Sequence, residues 1–412
     1  MAVAEPAAPA PSLRERAPVK PLALGTAIVA VWLLLDQRGF AIGAFWLIGV
    51  AFGVILQRSR LCFAGAFRDL ILLGDGRLFR AILIGLAVAA VGFVLLEARL
   101  APNPGFGIAP AGPHIQPVGI ATVVGGVLFG VGMVLAGGCV SGSLWRMGEG
   151  YVASWVAMAG IVAGTIVANR QWTWWYDNDI RERTAVWLPA ELGGYPAALA
   201  LTLAGLAALY IAVLWWESRT PKMPEFPAPP PEPAFGWRDQ LRQGWEKVWG
   251  GHGWSYATGA IALAVVSVFA LGLQVPLGVT GGISLWADNV LGWFNASSLP
   301  LKGSELLAGC TPGGAEKWFT VRTATMLGLV AGAFTASMLS GEFRIRRPRQ
   351  WSRYVQAGAG GLLMGYASVI AIGCTIGAFF SSIPSLALAG WVYGIALFGG
   401  AWIGVALIRR LP

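Results

Sequence analysis

Four cysteines carry the most informative side chains of this 412-residue chain, and two of them stand at matching places in distant stretches. Residues 125–146 read GGVLFGVGMVLAGGCVSGSLWR and residues 360–381 read GGLLMGYASVIAIGCTIGAFFS. At a constant offset of 235 residues, Gly125, Gly126, Leu128, Gly130, Val134, Ala136, Gly138, Cys139 and Gly142 meet Gly360, Gly361, Leu363, Gly365, Val369, Ala371, Gly373, Cys374 and Gly377. Nine gapless identities in 22 positions mark an internal duplication. Each copy is an apolar run of helical length that stops at Gly-Cys-x-x-Gly and then resumes, the pattern of a broken helix with a thiol at its tip.

A thiol offers a weak donor and a polarizable sulphur, and exposed helix-end N–H groups hold oxygen. Together they suit a small anion with a soft end and a hard end. A free cysteine in an apolar helix is otherwise a small hydrophobe, so it is the joint placement of Cys139 and Cys374 that argues for a site. Gly138, Gly142, Gly373 and Gly377 bracket the two thiols, where a chain reversal needs positive φ or close approach of a solute. Gly125, Gly130, Gly360 and Gly365 instead read as helix-packing glycines.

Cys62 lies in the run Gln57-Arg58-Ser59-Arg60-Leu61-Cys62-Phe63 and Cys310 in LLAGCTPGG. Arg60 and Arg68 have two readings: they draw an anion toward Cys62 and lower its pKa, or they orient the end of a helix. Arg146 and Glu149, three apart, suit a local ion pair. With no CxxC pair there is neither a disulfide framework nor a zinc site, and His114, His252 and Asp288 form no recognisable centre. No metal, cofactor or catalytic residue is expected, and no nucleotide-phosphate loop occurs in the sequence.

Hydrophobic residues are 56% of the chain and charged residues 12%, with mean hydropathy +0.65, too apolar for a soluble core of this size. Several runs reach the roughly 18 to 20 apolar residues that cross a bilayer as a helix, and β-barrel alternation is absent from the sequence. The expected fold is an all-α integral membrane protein of about 9 to 10 transmembrane helices. The net charge of +9 belongs to loops at one membrane face rather than to nucleic-acid binding.

Apolar segments fall at 21–35, 40–57, 79–98, 117–138, 151–168, 196–216, 255–274, 321–341, 356–373 and 386–408. These divide into a Pro/Ala-rich cytoplasmic tail over 1–20, a first membrane repeat over 21–216, a Pro-rich cytoplasmic connector over 217–253 and a second repeat over 254–412. Arginines at 58–80, at 344–353 and at 409–410 place those loops inside, with both termini cytoplasmic. Segment 79–98 then runs outward and 321–341 inward, so the two repeats are expected to be inverted. The charged stretch 276–318 must dip in and return without crossing. QWTWWYDNDIRER, with Trp172, Trp174 and Trp175, reads as an outer loop with an interfacial belt.

The run from Gln57 to Asp69, the Gly-x-Gly-Met-x-Leu-Ala-Gly-Gly-Cys139 stretch and Gly373-Cys374-Thr375-x-Gly377-Ala378-Phe379-Phe380 resemble the YeeE/YedE sulphur-transport family. The last 60 residues are most similar to its YedE branch. The resemblance covers both halves but not the connector. It implies uptake of thiosulfate or a related reduced sulphur or selenium species across the bacterial inner membrane, with Cys62, Cys139 and Cys374 matching the family's path cysteines. Cys310 matches less clearly. Thiosulfate-importing members often carry histidine where this chain has Ser143 and Ala378.

Passage without covalent chemistry along several weak thiol sites is one expectation, since a solute must be able to leave each site it enters. A persulfide relay to a cytoplasmic sulphur-carrier protein is another, and a scaffold subunit without a pore a third. In each the lipid bilayer is the surrounding partner, and nucleic acid is not one.

Overall fold

The computed structural model describes residues 19–106, 109–220, 248–250, 253–307 and 318–410. Among these the chain is a helical bundle with only isolated β-bridges. The first half contains α1 (Val19–Asp36), α2 (Phe40–Ser59), α3 (Phe63–Leu73), α4 (Arg77–Leu100), α5 (Ile120–Ala136), α6 (Val140–Glu149), α7 (Val152–Asn178) and α8 (Tyr195–Ser218). The second contains α9 (Tyr256–Leu273), α10 (Thr280–Gly292), α11 (Val321–Leu339), α12 (Trp351–Ile370), a π-helix (Thr375–Ser381) and α13 (Leu388–Ile408). Eight helical spans among the described residues are long and apolar enough to cross a membrane, or nine if α12 and the π-helix, bent by 50°, count as one.

The elements missing from a reading by apolar runs are the short ones that follow the cysteines. A helix of 10 or 11 residues such as α6 or α3 is too short to register as a span. The tryptophan stretch differs from expectation as well: residues 171–178 continue α7 rather than forming a loop. Trp172 is buried and its Nε1 donates to the Lys302 carbonyl at 2.9 Å, while Trp174 is exposed. Buried Trp172 is thus a packing element, whereas exposed Trp174 keeps the position a belt residue would take.

Helices pack by exchanging partners between the halves. α2 lies along α11, α4 along α9, α5 along α13 and α7 along α12. Each of these pairs is parallel: Gly49 faces Thr325 and Gly53 faces Leu329, so the register advances in the same direction on both chains. The contact is backbone to backbone, for a methyl built on Gly53 would fall 2.0 Å from the Leu329 carbonyl oxygen. Gly125, Gly130, Gly360 and Gly365 serve the same purpose, each facing a neighbouring helix too closely for a side chain.

The two stretches aligned by sequence also meet each other. Gly125 faces Ala371 and Gly132 faces Gly360, so α5 and α12 cross antiparallel. These two sequence-matched helices therefore run in opposite directions through the bundle. The start of α4, the end of α2, the end of α8 and the run from Ser340 to Trp351 all lie at one end, held by Arg80–Glu217 and Arg60–Glu342 ion pairs. The loop around Ile115 lies at the other end, where Trp187 bridges to Ala387. Tags at residues 115 and 348 are expected to be reached from opposite membrane faces; access to both from one face would overturn this arrangement.

The segment after α9 does not cross. α10 has only 13 residues, and the chain beyond it returns to the end of α7, where Lys302 pairs with Asp177 at 2.7 Å. Asp288 accepts hydrogen bonds from Ser297 and from the backbone N–H groups of Ser298 and Leu299, so it braces this return. Cys310, His252 and most of the connector lie outside the described residues.

Candidate functional site

Cys62, Cys139 and Cys374 are all buried and all free thiols. Each is the N-cap of a helix: Cys62 of α3, Cys139 of α6 and Cys374 of the π-helix. The Cys62 carbonyl accepts from Ala66 N–H at 2.9 Å, that of Cys139 from Ser143 at 2.7 Å and that of Cys374 from Ala378 at 2.7 Å. The remaining first-turn N–H groups and the positive end of each helix dipole thus face the break in the chain, the arrangement that holds anions.

Two of the sulphurs converge. A methyl built on Gly142 would lie 3.2 Å from Cys62 Sγ and 3.4 Å from Cys139 Sγ, and the two thiols are within hydrogen-bonding reach of each other. Only glycine leaves this space open. The Cys139 thiol also contacts Ser141 Oγ at 3.3 Å and accepts from Gly142 N–H at 3.4 Å.

Cys374 stands apart from that pair but not far from it. Its neighbour Thr375 presents a hydroxyl to Cys139, and Phe63, next to Cys62, packs edge-on against Phe380 at 5.7 Å. The three breaks therefore interleave at one level of the bundle. Among the described residues no three His, Cys, Asp or Glu side chains gather as a metal ion would require.

Several sequence expectations need correction. Gly138, Gly142, Gly373 and Gly377 do not take positive φ; the left-handed residues are Gly137 at φ 71° and Ile372 at φ 55°, one position earlier and again 235 apart. Gly142 and Gly373 are needed for close approach instead, and Gly377 lies within the π-helix. A β-branched residue at positive φ is strained, and strain of this kind marks a position that the surroundings over-determine.

Of the two readings of Arg60 and Arg68, the ion pairs favour one, whereas Arg146 differs from expectation. Arg60 pairs with Glu149 at 2.8 Å and with Glu342 at 3.0 Å, and Arg68 with its neighbour Asp69 at 2.8 Å. Both are committed to carboxylates, so the helix-orienting reading fits them. Arg146 does not pair with Glu149. It donates to the Gly137 carbonyl and sits over the Trp145 ring, which makes it the cation nearest in effect to Cys62. Its i+3 spacing to Glu149 concealed this, because a helix-surface pair was the simpler reading.

His114 is the residue that sequence reasoning passed over. It is 1% exposed, and its ring meets Gly373: a methyl there would lie 3.2 Å from His114 Cε1 and 3.1 Å from Ala378 Cβ. Burial, with help from Arg322, pushes its pKa down to about 3, so the ring is neutral at any physiological pH. Two hundred and fifty-nine residues separate it from Gly373, and no local pattern links them.

Broken spans joined in pairs across two halves, with thiol-capped half-helices meeting inside the bundle, define a multi-pass membrane transport protein. Residues 58–403 match the sulphur transport family, and the chain belongs to that family. It is 30% identical over 384 residues to the thiosulfate transporter TsuA of Spirochaeta thermophila, covering 88% of this chain and 98% of that one. It is 26% identical to the Escherichia coli thiosulfate transporter TsuA, covering 88% and 94%. Similarity to the probable transporter YedE of Escherichia coli is 34% over 194 residues, or 46% of this chain and 44% of that one.

Proposed function

We propose that this protein imports thiosulfate across the bacterial cytoplasmic membrane, passing it between Cys62, Cys139 and Cys374 without covalent chemistry. The observation that carries the proposal is the placement of all three thiols at helix N-caps. Thiosulfate has a soft terminal sulphur for the thiols and three hard oxygens for the N–H groups. The names borne by two full-length relatives support the same anion.

Buried thiols and backbone dipoles bind weakly compared with a fixed arginine clamp. Weak binding at successive points is what conduction requires. The antiparallel crossing of α5 and α12 supports inverted repeats, in which one half rocks against the other about a central site. The arginine excess at one end of the bundle supports a cytoplasmic position for that end and both termini.

Uptake of labelled thiosulfate into proteoliposomes containing only this protein tests the proposal. Uptake above protein-free vesicles is expected, with competition by unlabelled thiosulfate and weaker competition by sulfate, which lacks the soft sulphur. No uptake by the pure protein would refute it. Mass spectra taken during turnover separate passage from relay. In a relay, a cysteine thiolate attacks the outer sulphur, the S–S bond of thiosulfate breaks and sulfite leaves with the electron pair. The cysteine then gains the mass of one sulphur for delivery to a carrier protein; unmodified cysteines during active uptake are the expected result.

A further inference from the structure

The break at Gly373–Thr375 faces more than the other cysteines. On the side away from the arginine-rich end it meets the loop at His114 and the first turn of α10. This wall is tied together by serines. His114 N–H donates to Ser385 Oγ at 3.1 Å, Ser385 Oγ donates to the Ser381 carbonyl at 2.8 Å, and Ser381 Oγ donates to the Leu277 carbonyl at 3.0 Å. Leu277 lies three residues before α10, so one hydrogen-bonded chain runs from the His114 loop through the π-helix to the entry of α10.

Polar atoms in this wall are left over. His114 Nε2 and Thr280 Oγ1 have no hydrogen-bond partner among the described residues, although these residues are only 1% and 3% exposed. Buried polar atoms without partners are uncommon, and two on elements joined by one hydrogen-bonded chain need an explanation. Thr280 opens α10, whose entry at Leu277 is bound to this wall through Ser381. Arg322 bears electrostatically on His114, and its carbonyl packs on Gly282 in the first turn of α10. The wall thus combines neutral donors, a helix N-terminus and a nearby positive charge.

We infer that His114 and Thr280 form an oxyanion-recognising subsite beside Cys374, which takes the oxygen end of a sulphur oxyanion before its soft sulphur reaches the thiol. The inference rests on the cysteine path proposed above. It assigns the hard end of the anion to residues outside the cysteine motifs and outside the duplicated stretches. Because His114 is neutral, it holds oxygen without adding a full charge that would trap the anion. Arg322 adds a positive charge that acts on the same ring.

The test is equilibrium binding of thiosulfate, and separately of sulfate, to purified protein in detergent, alongside uptake kinetics. His114→Ala is expected to weaken thiosulfate binding by roughly ten- to hundred-fold, the loss typical of a hydrogen bond to a charged group. His114→Gln, which keeps a donor, recovers part of it. Thr280→Val, of the same shape, weakens binding in the same sense. In uptake, the effect falls on KM more than on Vmax.

Melting temperatures of the variants establish folding. If His114→Ala does not fold, Thr280→Val carries the test. Wild-type affinity in folded His114→Ala, or in Thr280→Val where that variant alone folds, overturns the subsite. Failure of wild-type uptake with intact, His114-dependent binding overturns the transport reading alone.

Discussion

Replacing Cys139 with alanine lowers thiosulfate uptake by roughly ten- to hundred-fold while leaving the amount of folded protein unchanged. Cys139 sits where all three breaks come closest: its sulphur shares the space over Gly142 with Cys62 and faces Thr375 of the opposite half. An anion passing there exchanges one set of donors for the next, and loss of a donor to a charged group costs about 1.5–3 kcal/mol, or that factor in rate. Folding is spared because the cap that Cys139 supplies, one bond from Gly142 N–H at 3.4 Å, is long and worth at most about 1 kcal/mol. Cys62→Ala acts on the same space, so the double variant falls by less than the product of the single losses. Cys374→Ala lies apart from the pair and multiplies with either. Proteoliposome uptake at matched protein content reads all four variants. Undiminished uptake by Cys139→Ala would remove the thiols from the path.

The bundle was legible because helix-length apolar runs and loop arginines are local signals with a strong physical cause. Ten apolar segments correspond to ten of the helices, and the antiparallel crossing of α5 and α12 agrees with the direction inferred from charge. The duplicated Gly-Cys-x-x-Gly pattern located two of the three thiols at helix breaks. What it could not convey is which groups face one another across the bundle. Arg60 in sequence suits either anion attraction or helix orientation, and only the fold shows that it meets Glu149 and Glu342, 89 and 282 residues away. His114 and Gly373 are brought together only because α5 and α12 cross. The glycines next to cysteine suit either positive φ or close approach, and sequence cannot choose between these; positive φ falls one residue earlier, at Gly137 and Ile372.

Glu149→Gln is expected to lower the apparent melting temperature by several degrees, more than any substitution among the exposed charges. Glu149 is fully buried and ends α6, the half-helix capped by Cys139. Its Oε1 pairs with Arg60 at 2.8 Å and Arg346 at 3.3 Å, which fastens α6 to the end of α2 and to the loop before α12. Removing one partner of a buried pair costs about 3–5 kcal/mol; both arginines are partly exposed, so water recovers some of this and about 2 kcal/mol remains. Arg68→Ala, which breaks an exposed pair with adjacent Asp69, changes stability by less than about 0.5 kcal/mol. The cluster also sets an acid limit. Burial works against the charged form of Glu342, but Arg60, Gln57, Ser340 and Arg58 outweigh it and hold its carboxyl below the usual carboxylate range. A depressed folded-state pKa means that this stabilisation is complete above the ordinary glutamate pKa of about 4.3 and is lost as pH falls below it. Melting curves in detergent between pH 7 and pH 4 should be flat in this contribution until the lower end. A Glu149→Gln protein that melts with the wild type would mean that α6 is held by its apolar packing alone.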